Sequence, residues 1–340
     1  MRKLLILFLL FTGRFASAQD IHLSQFFNTP LMQNPALAGV FTGDIRIQAV
    51  YRNQWQSTGF PYQTNALSAE YKFAVGSSDD FMTIGASTFY DQAGIMKLKT
   101  LQVMPAINFH KSLSGNKNSY LSGGFMAGFV NRQFDGKNLT FDNQYTGGQY
   151  DPSAATGERF TGLSRGFFDA ALGLSYNSDL GENGSYYLGA SLWHFHKPSY
   201  SFLSDNIQLA PKLQFNGGVR TWLNDAVQLT LEGNYLVQDN YSETIGGARV
   251  QYFFDGDMIT DAAISEFSVA GGLYVRLKDA IIPYAQVSYN HIDVGISYDV
   301  NTSPLKSASQ GRGGFELSLT YRGFTKNPNS TLGNMRCPRF

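Results

Sequence analysis

The sequence has one cysteine, Cys337, in 340 residues. That excludes an intramolecular disulfide and a thiolate metal cluster. Charge is scarce: 15% of residues are charged, against about 25% in an average soluble domain. The 26 basic and 26 acidic residues cancel, so there is no electrostatic footprint for nucleic acid. Neither an acidic tail nor a basic block interrupts the chain. Past residue 20 no apolar run approaches the roughly 20 residues of a spanning helix.

The start of the chain carries the one helical apolar signal. Met1-Arg2-Lys3 is a basic head, Leu4 to Phe11 an apolar run, and Ala16-Ser17-Ala18 a small-x-small cleavage pattern. These predict a secretory signal peptide over residues 1–18, with Gln19-Asp20 beginning the mature chain. No cysteine follows the cut, so no lipid anchor is expected there.

What the sequence has is rings and glycine. There are 27 Phe, 19 Tyr and 35 Gly, yet the mean hydropathy is only −0.19. The reason is alternation. In Val227-Gln228-Leu229-Thr230-Leu231-Glu232-Gly233-Asn234-Tyr235, odd positions are apolar or small and even positions polar. On a strand the two sets face opposite ways. Ile292 to Asp299, Phe315 to Arg322 and Ala66 to Phe73 repeat the pattern. Alternation places strands near 45–52, 65–74, 82–90, 98–109, 119–130, 164–176, 185–195, 211–222, 226–236, 241–253, 266–276, 280–290, 291–299 and 312–322. Strands of this length suit a tilted membrane strand of about 9–11 residues better than the soluble norm of about 5–6.

Connection lengths point the same way. If the first strand runs outward, the long connections 53–64, 131–163, 196–210 and 300–311 all fall outside. Most inside turns are short, as in bacterial barrels; 254–265 is an exception. A soluble β-sandwich also alternates. Strand length, ring content and the leader favour the membrane, where polar faces line a lumen and closure removes every bare edge. Tyr51, Phe73, Tyr176 and Tyr298 fall where aromatic girdles belong. The expected fold is all-β: a transmembrane antiparallel β-barrel of about 14 strands over residues 45–322, followed by a polar tail, 323–340. Residues 19–44 do not alternate and read as a short periplasmic segment. In it Asn34 can cap, Pro35 suits the first helical position and Gly39 can end a turn. The turn would lead into the first strand, tucked into the periplasmic mouth.

Chemistry is thinly represented. Glu70, Asp169, Glu232, Asp293 and Glu316 face inward, but a polar lumen needs such residues. His194 and His196 would share a strand face and could co-ligate a metal, but no third ligand is evident; a place in the aromatic girdle beside Trp193 is the simpler reading. No Gly-x-Ser-x-Gly elbow is present. Gly311-Arg312-Gly313-Gly314 lacks the strand-to-helix context of a phosphate loop. Asn138-Leu139-Thr140 is read as a chance sequon. No enzyme, cofactor or metal is expected.

Both ends of the mature chain carry more specific residues. The start reads Ser24-Gln25-Phe26-Phe27, Pro30-Leu31 and Asn34-Pro35-Ala36-Leu37-Ala38-Gly39, then Tyr51-Arg52-Asn53-Gln54-Trp55. The end reads Ser297-Tyr298-Asp299-Val300-Asn301, Gly313-Gly314-Phe315-Glu316-Leu317-Ser318-Leu319-Thr320-Tyr321 and Cys337-Pro338-Arg339-Phe340. Taken together these resemble the PorP/SprF family of type IX secretion membrane proteins of Bacteroidetes, over the whole mature chain. The resemblance implies a non-enzymatic outer-membrane barrel acting in protein secretion and gliding motility. Its implied partners are a secreted, adhesin-like protein with a C-terminal type IX sorting domain and other secretion components of the periplasm and outer membrane.

A lumen of about 14 strands is wider than side chains alone fill at about 8. Mixed charges on the inward faces could hold a partner segment, and Arg220, Glu232, Arg249 and Glu316 are the candidates. The loop 131–163 would supply outside contacts. The alternatives are a lumen plugged by the chain's own segments, and a transporter of lipophilic or nutrient molecules like the long-chain fatty acid transporters. Those also carry an Asn-Pro-Ala stretch near the start, but need an apolar internal pocket.

Overall fold

A computed structural model describes residues 21–54, 62–76, 79–94, 97–115, 118–134, 140–155, 157, 162–202, 207–254, 267–303, 312–325, 338 and 340. The expected leader, residues 1–18, and most of the tail lie outside the described residues. No helix among them is long and apolar enough to cross a membrane.

The alternating segments form long strands: β1 (Ile45–Gln54), β2 (Tyr62–Val75), β3 (Asp80–Ala93), β4 (Leu98–Ser112) and β5 (Ser119–Gln133). A two-residue hairpin, β6 (Tyr145–Thr146) and β7 (Gln149–Tyr150), sits in the connection after β5. Then come β8 (Ser164–Leu180), β9 (Gly184–Trp193), β10 (Lys212–Asn224), β11 (Val227–Gln238) and β12 (Tyr241–Phe253). The last are β13 (Phe267–Arg276), β14 (Ala280–Tyr289), β15 (Ile292–Asn301) and β16 (Arg312–Gly323). Apart from the hairpin, each pairs antiparallel with its neighbours, and β1 closes on β16 from Ile45↔Gly323 to Gln54↔Gly314. The result is a closed barrel of 14 strands. Closure gives every strand two partners, which is what a hydrocarbon surround demands.

Side-chain parity holds around the ring. On β9, outward Leu188 is 61% exposed and inward Tyr187 6%. Along β14, Ala280, Ile282, Tyr284, Gln286 and Ser288 are buried, while the residues between them are exposed. Prolines interrupt the ladder where their missing N–H would donate. The β4–β5 register skips Met104 and Pro105, and the β14–β15 register skips Ile282 and Pro283.

We call the end where β1 begins and β16 finishes the terminal end, and the other the far end. The two longest connections, after β5 and β9, leave the far end, as do those after β1 and β15; the connection after β12, from Phe253 to Phe267, leaves the terminal end. Rings gather at the terminal end: Tyr71 with Phe73, Tyr176 with Tyr186, Trp222 with Phe253, and Phe254 with Phe267 lie 4.9–5.9 Å apart. Tyr51, Tyr235 and Tyr298 occupy the far half. In the hairpin, Gly147 and Gly148 take φ of +63° and +82°, the left-handed turn a two-residue hairpin needs.

Candidate functional site

The lumen is occupied by residues 21–44. They enter at the far end, where His22 Nδ1 lies 3.6 Å from Glu243 at the start of β12. They leave at the terminal end, where Asp44 N–H donates to Gly323 O at 2.8 Å. The turn expected at the mouth is thus carried inside the barrel. On the way the segment forms a 3₁₀ turn over Phe26–Asn28, a helical turn α1 (Pro30–Gln33) and a second 3₁₀ turn over Pro35–Leu37. Two prolines start turns, and Asn34 caps the last one, its Oδ1 accepting from Ala36 N–H at 2.8 Å.

Three anchors hold this plug. The first is ionic. Both Glu316 oxygens accept backbone N–H groups, of Ser24 at 2.6 Å and Gln25 at 2.7 Å. Arg52, 1% exposed, pairs with Glu316 and, at 2.9 Å, with Asp299. Ser24 Oγ lies 2.6 Å from Asp299, Arg52 and Arg276 alike. Fixing a buried carboxylate between cations and N–H donors offsets its desolvation, which an isolated charge could not do.

The second anchor is the Asn-Pro-Ala stretch against β4, β5, β8 and β9. Asn108 Nδ2 donates to Ala36 O (2.9 Å) and Ala38 O (2.7 Å), and Ser175 Oγ to Ala36 O (2.8 Å). Ser191 Oγ and Trp193 Nε1 donate to Gln33 O at 2.6 and 3.2 Å. Between these donors the wall carries glycine where the plug's backbone comes closest. A Cβ on Gly124 would come within 2.4 Å of Ala36 N, and one on Gly173 within 1.9 Å of Asn34 Oδ1. Gly39 leaves the turn at φ +81°, its position closed to a Cβ by Thr83 Oγ1 at 2.0 Å. Its N–H donates to Glu70 at 2.8 Å, and Glu70 also pairs with Arg46.

The third anchor is aromatic. Phe26 and Phe27 pack on Tyr274, Phe27 stacking at 4.9 Å, and Phe27 meets Tyr284 edge-on at 5.0 Å. Arg249 covers the Phe27 ring at 5.1 Å. Nearer the far end, Leu23, Val50, Ala66 and Phe89 make an apolar cluster inside the lumen.

A match to the model for type IX secretion system membrane proteins PorP/SprF runs over residues 15–321. The chain belongs to the PorP/SprF family. No curated protein matches it. Among solved structures it is similar to the toluene transporter TbuX of Ralstonia pickettii, at 12% identity and TM-score 0.50, over 87% of this chain and 94% of that one. A FadL homologue of Pseudomonas aeruginosa matches at 8% and 0.49, over 82% and 88%. The toluene transporter TodX of Pseudomonas putida matches at 12% and 0.46, over 86% and 93%. At 12% identity the likeness to TbuX speaks for the barrel fold alone.

In this PorP/SprF member all four sequence candidates line the lumen, and they do not form one site. Glu316 is committed to Ser24 and Gln25. Arg249 lies over Phe27 and 4.0 Å from Glu232. Arg220 lies 5.3 Å from the Phe340 ring. The histidine reading needs correction. β9 ends at Trp193, and His194 turns at φ +56°, so strand parity does not reach His196. Buried His194 contacts Asp169 at 2.8 Å, whereas His196 contacts Phe168 O at 2.9 Å. Among the described residues no three His, Cys, Asp or Glu side chains gather as a metal site. The residues missed by sequence reasoning are Asn108, Ser175, Ser191 and the wall glycines. Their signal was present but weak: polar or absent side chains on the inward parity of adjacent strands.

Proposed function

We propose that this barrel sits in the outer membrane as a non-enzymatic component of the type IX secretion system. It would serve as the export or surface-attachment partner of a secreted, adhesin-like protein. The observation that carries this reading is the family match across residues 15–321. The far-end connections after β5 and β9 support an outward far end and a periplasmic terminal end, with residues 1–18 as the exported leader. In this reading the partner carries a C-terminal type IX sorting domain, and other secretion components meet the periplasmic face.

Arg220, Glu232, Arg249 and Glu316 enter the proposal as lumen contacts for the partner. An incoming segment gains Glu316 or Arg249 only by displacing residues 24–27, and Arg220 only by displacing Phe340. Reversing charge at Arg220 and Glu232 together is expected to abolish partner retention; unchanged retention removes the lumen from the mechanism.

The apolar cluster of Leu23, Val50, Ala66 and Phe89 favours a second reading, passage of small lipophilic molecules. Affinity purification of the tagged protein from native membranes, with mass spectrometry, separates the two. Recovery of a large secreted protein or of secretion components supports the first. Recovery of the barrel alone with bound lipid supports the second.

A further inference from the structure

The lumen wall of β9 to β13 carries the same three-residue arrangement twice. In register across it run Tyr187, Gly218, Glu232, Gly247 and Tyr274. At each end a tyrosine ring lies over the neighbouring glycine: a Cβ would meet Tyr187 Cε1 at 2.7 Å from Gly218, and Tyr274 Cδ1 at 2.6 Å from Gly247. Two residues beyond each glycine, on the same face, stands an arginine, Arg220 or Arg249. Glu232 sits between the two.

Each unit holds one phenylalanine. The Tyr274–Gly247–Arg249 unit takes Phe27 of the plug, ring on ring at 4.9 Å with the guanidinium 5.1 Å away. The Tyr187–Gly218–Arg220 unit takes Phe340, edge to face at 4.5 Å with the guanidinium 5.3 Å away. The glycine makes the room: a Cβ on Gly218 would stand 2.9 Å from Phe340 Cζ. Across the lumen, Lys72 Nζ donates to Pro338 O at 2.7 Å. Pro338 thus stands against the β2 wall and Phe340 against the β9–β10 wall, near the terminal end.

We propose that Tyr187, Gly218 and Arg220 form a second phenylalanine socket, a peptide-binding site for an aromatic side chain, which this chain's own Phe340 fills and from which it exchanges. The chemistry is general. An aromatic ring gains from an edge-to-face partner and from a guanidinium over its face. Lys72 donates to the backbone carbonyl two positions before the ring. Because Phe340 is tethered, it competes at a high effective concentration. A peptide in solution therefore binds well only when the tethered ring is removed. This inference does not rest on the secretion reading.

The test uses the full chain in detergent and a fluorescent peptide of residues 331–340. Phe340→Ala protein is expected to bind the peptide at least tenfold more tightly than the unaltered protein, by fluorescence anisotropy. Adding Arg220→Ala should reverse that gain, and a peptide with Ala in place of its Phe should bind neither protein. Equal binding by the unaltered and Phe340→Ala proteins, or equal binding of the two peptides, overturns the proposal. A second measurement covers the case in which Phe340→Ala does not fold. Phe340→Leu keeps an apolar side chain at the position without the ring, and it should likewise bind the peptide more tightly than the unaltered protein does. Binding of the peptide by Phe340→Leu no tighter than by the unaltered protein contradicts exchange.

Discussion

Glu316 is the residue on which the plug's first anchor turns. It neutralises Arg52 and accepts two backbone N–H groups that would otherwise be buried without partners. Removing one member of a buried pair typically costs about 3–5 kcal/mol, because the other charge is left uncompensated. Asp299 remains beside Arg52, so the lower end applies. Glu316→Ala is expected to lose about 3 kcal/mol of stability, read from urea unfolding in micelles by tryptophan fluorescence. A loss under about 0.5 kcal/mol, the usual range of a surface substitution, would contradict the clamp. At this scale the sequence was half legible. Parity on β16 shows Glu316 facing inward, but nothing near it names Ser24, 292 positions away. His194 shows the opposite failure: parity was extended past the strand's end into a left-handed turn.

At the scale of elements, the strands were readable because side chains on a strand alternate with a period of two, and lipid and lumen impose opposite polarities on the two faces. Every expected strand is present, with ends displaced by no more than four residues. The plug was not readable as a plug, since its contacts are long-range and aperiodic. Only its local signals, the Asn34 cap and Pro35, were visible. Its seating should depend on pH through His22. Burial holds the His22 imidazole below the usual 6.5; Glu243 opposes this, and Arg276 and Arg52 reinforce it. The seated segment therefore favours the neutral ring, while a released one titrates normally. As pH falls below about 6.5, the released form gains a proton that the seated form resists, so seating weakens. Above that pH both rings are neutral and nothing changes. In planar bilayers, current fluctuations are expected to grow between pH 7.5 and 5.5, and His22→Asn should flatten the response. An equal response from the variant would remove His22 from the seating. Deleting residues 21–34 is expected to leave a folded barrel, judged by its heat-dependent gel mobility, with a steady conductance the intact chain lacks. Indistinguishable conductance would mean that the plug does not set the lumen's width.

At the scale of the whole molecule, a ring of 14 strands leaves a space that the strands' own side chains do not fill. This chain spends its inward charges and its glycine-faced wall on filling that space. Such a lumen suits a protein that holds a segment better than one that passes bulk solute. Under the proposed function, the segment ultimately held belongs to a secreted protein. The most direct test compares the surface and secreted proteomes of the native bacterium with and without this barrel. Selective loss from the surface of one protein, or a small set, bearing a C-terminal sorting domain is expected, restored by the intact barrel. An unchanged surface proteome, with only the uptake of a small lipophilic molecule impaired, would contradict it.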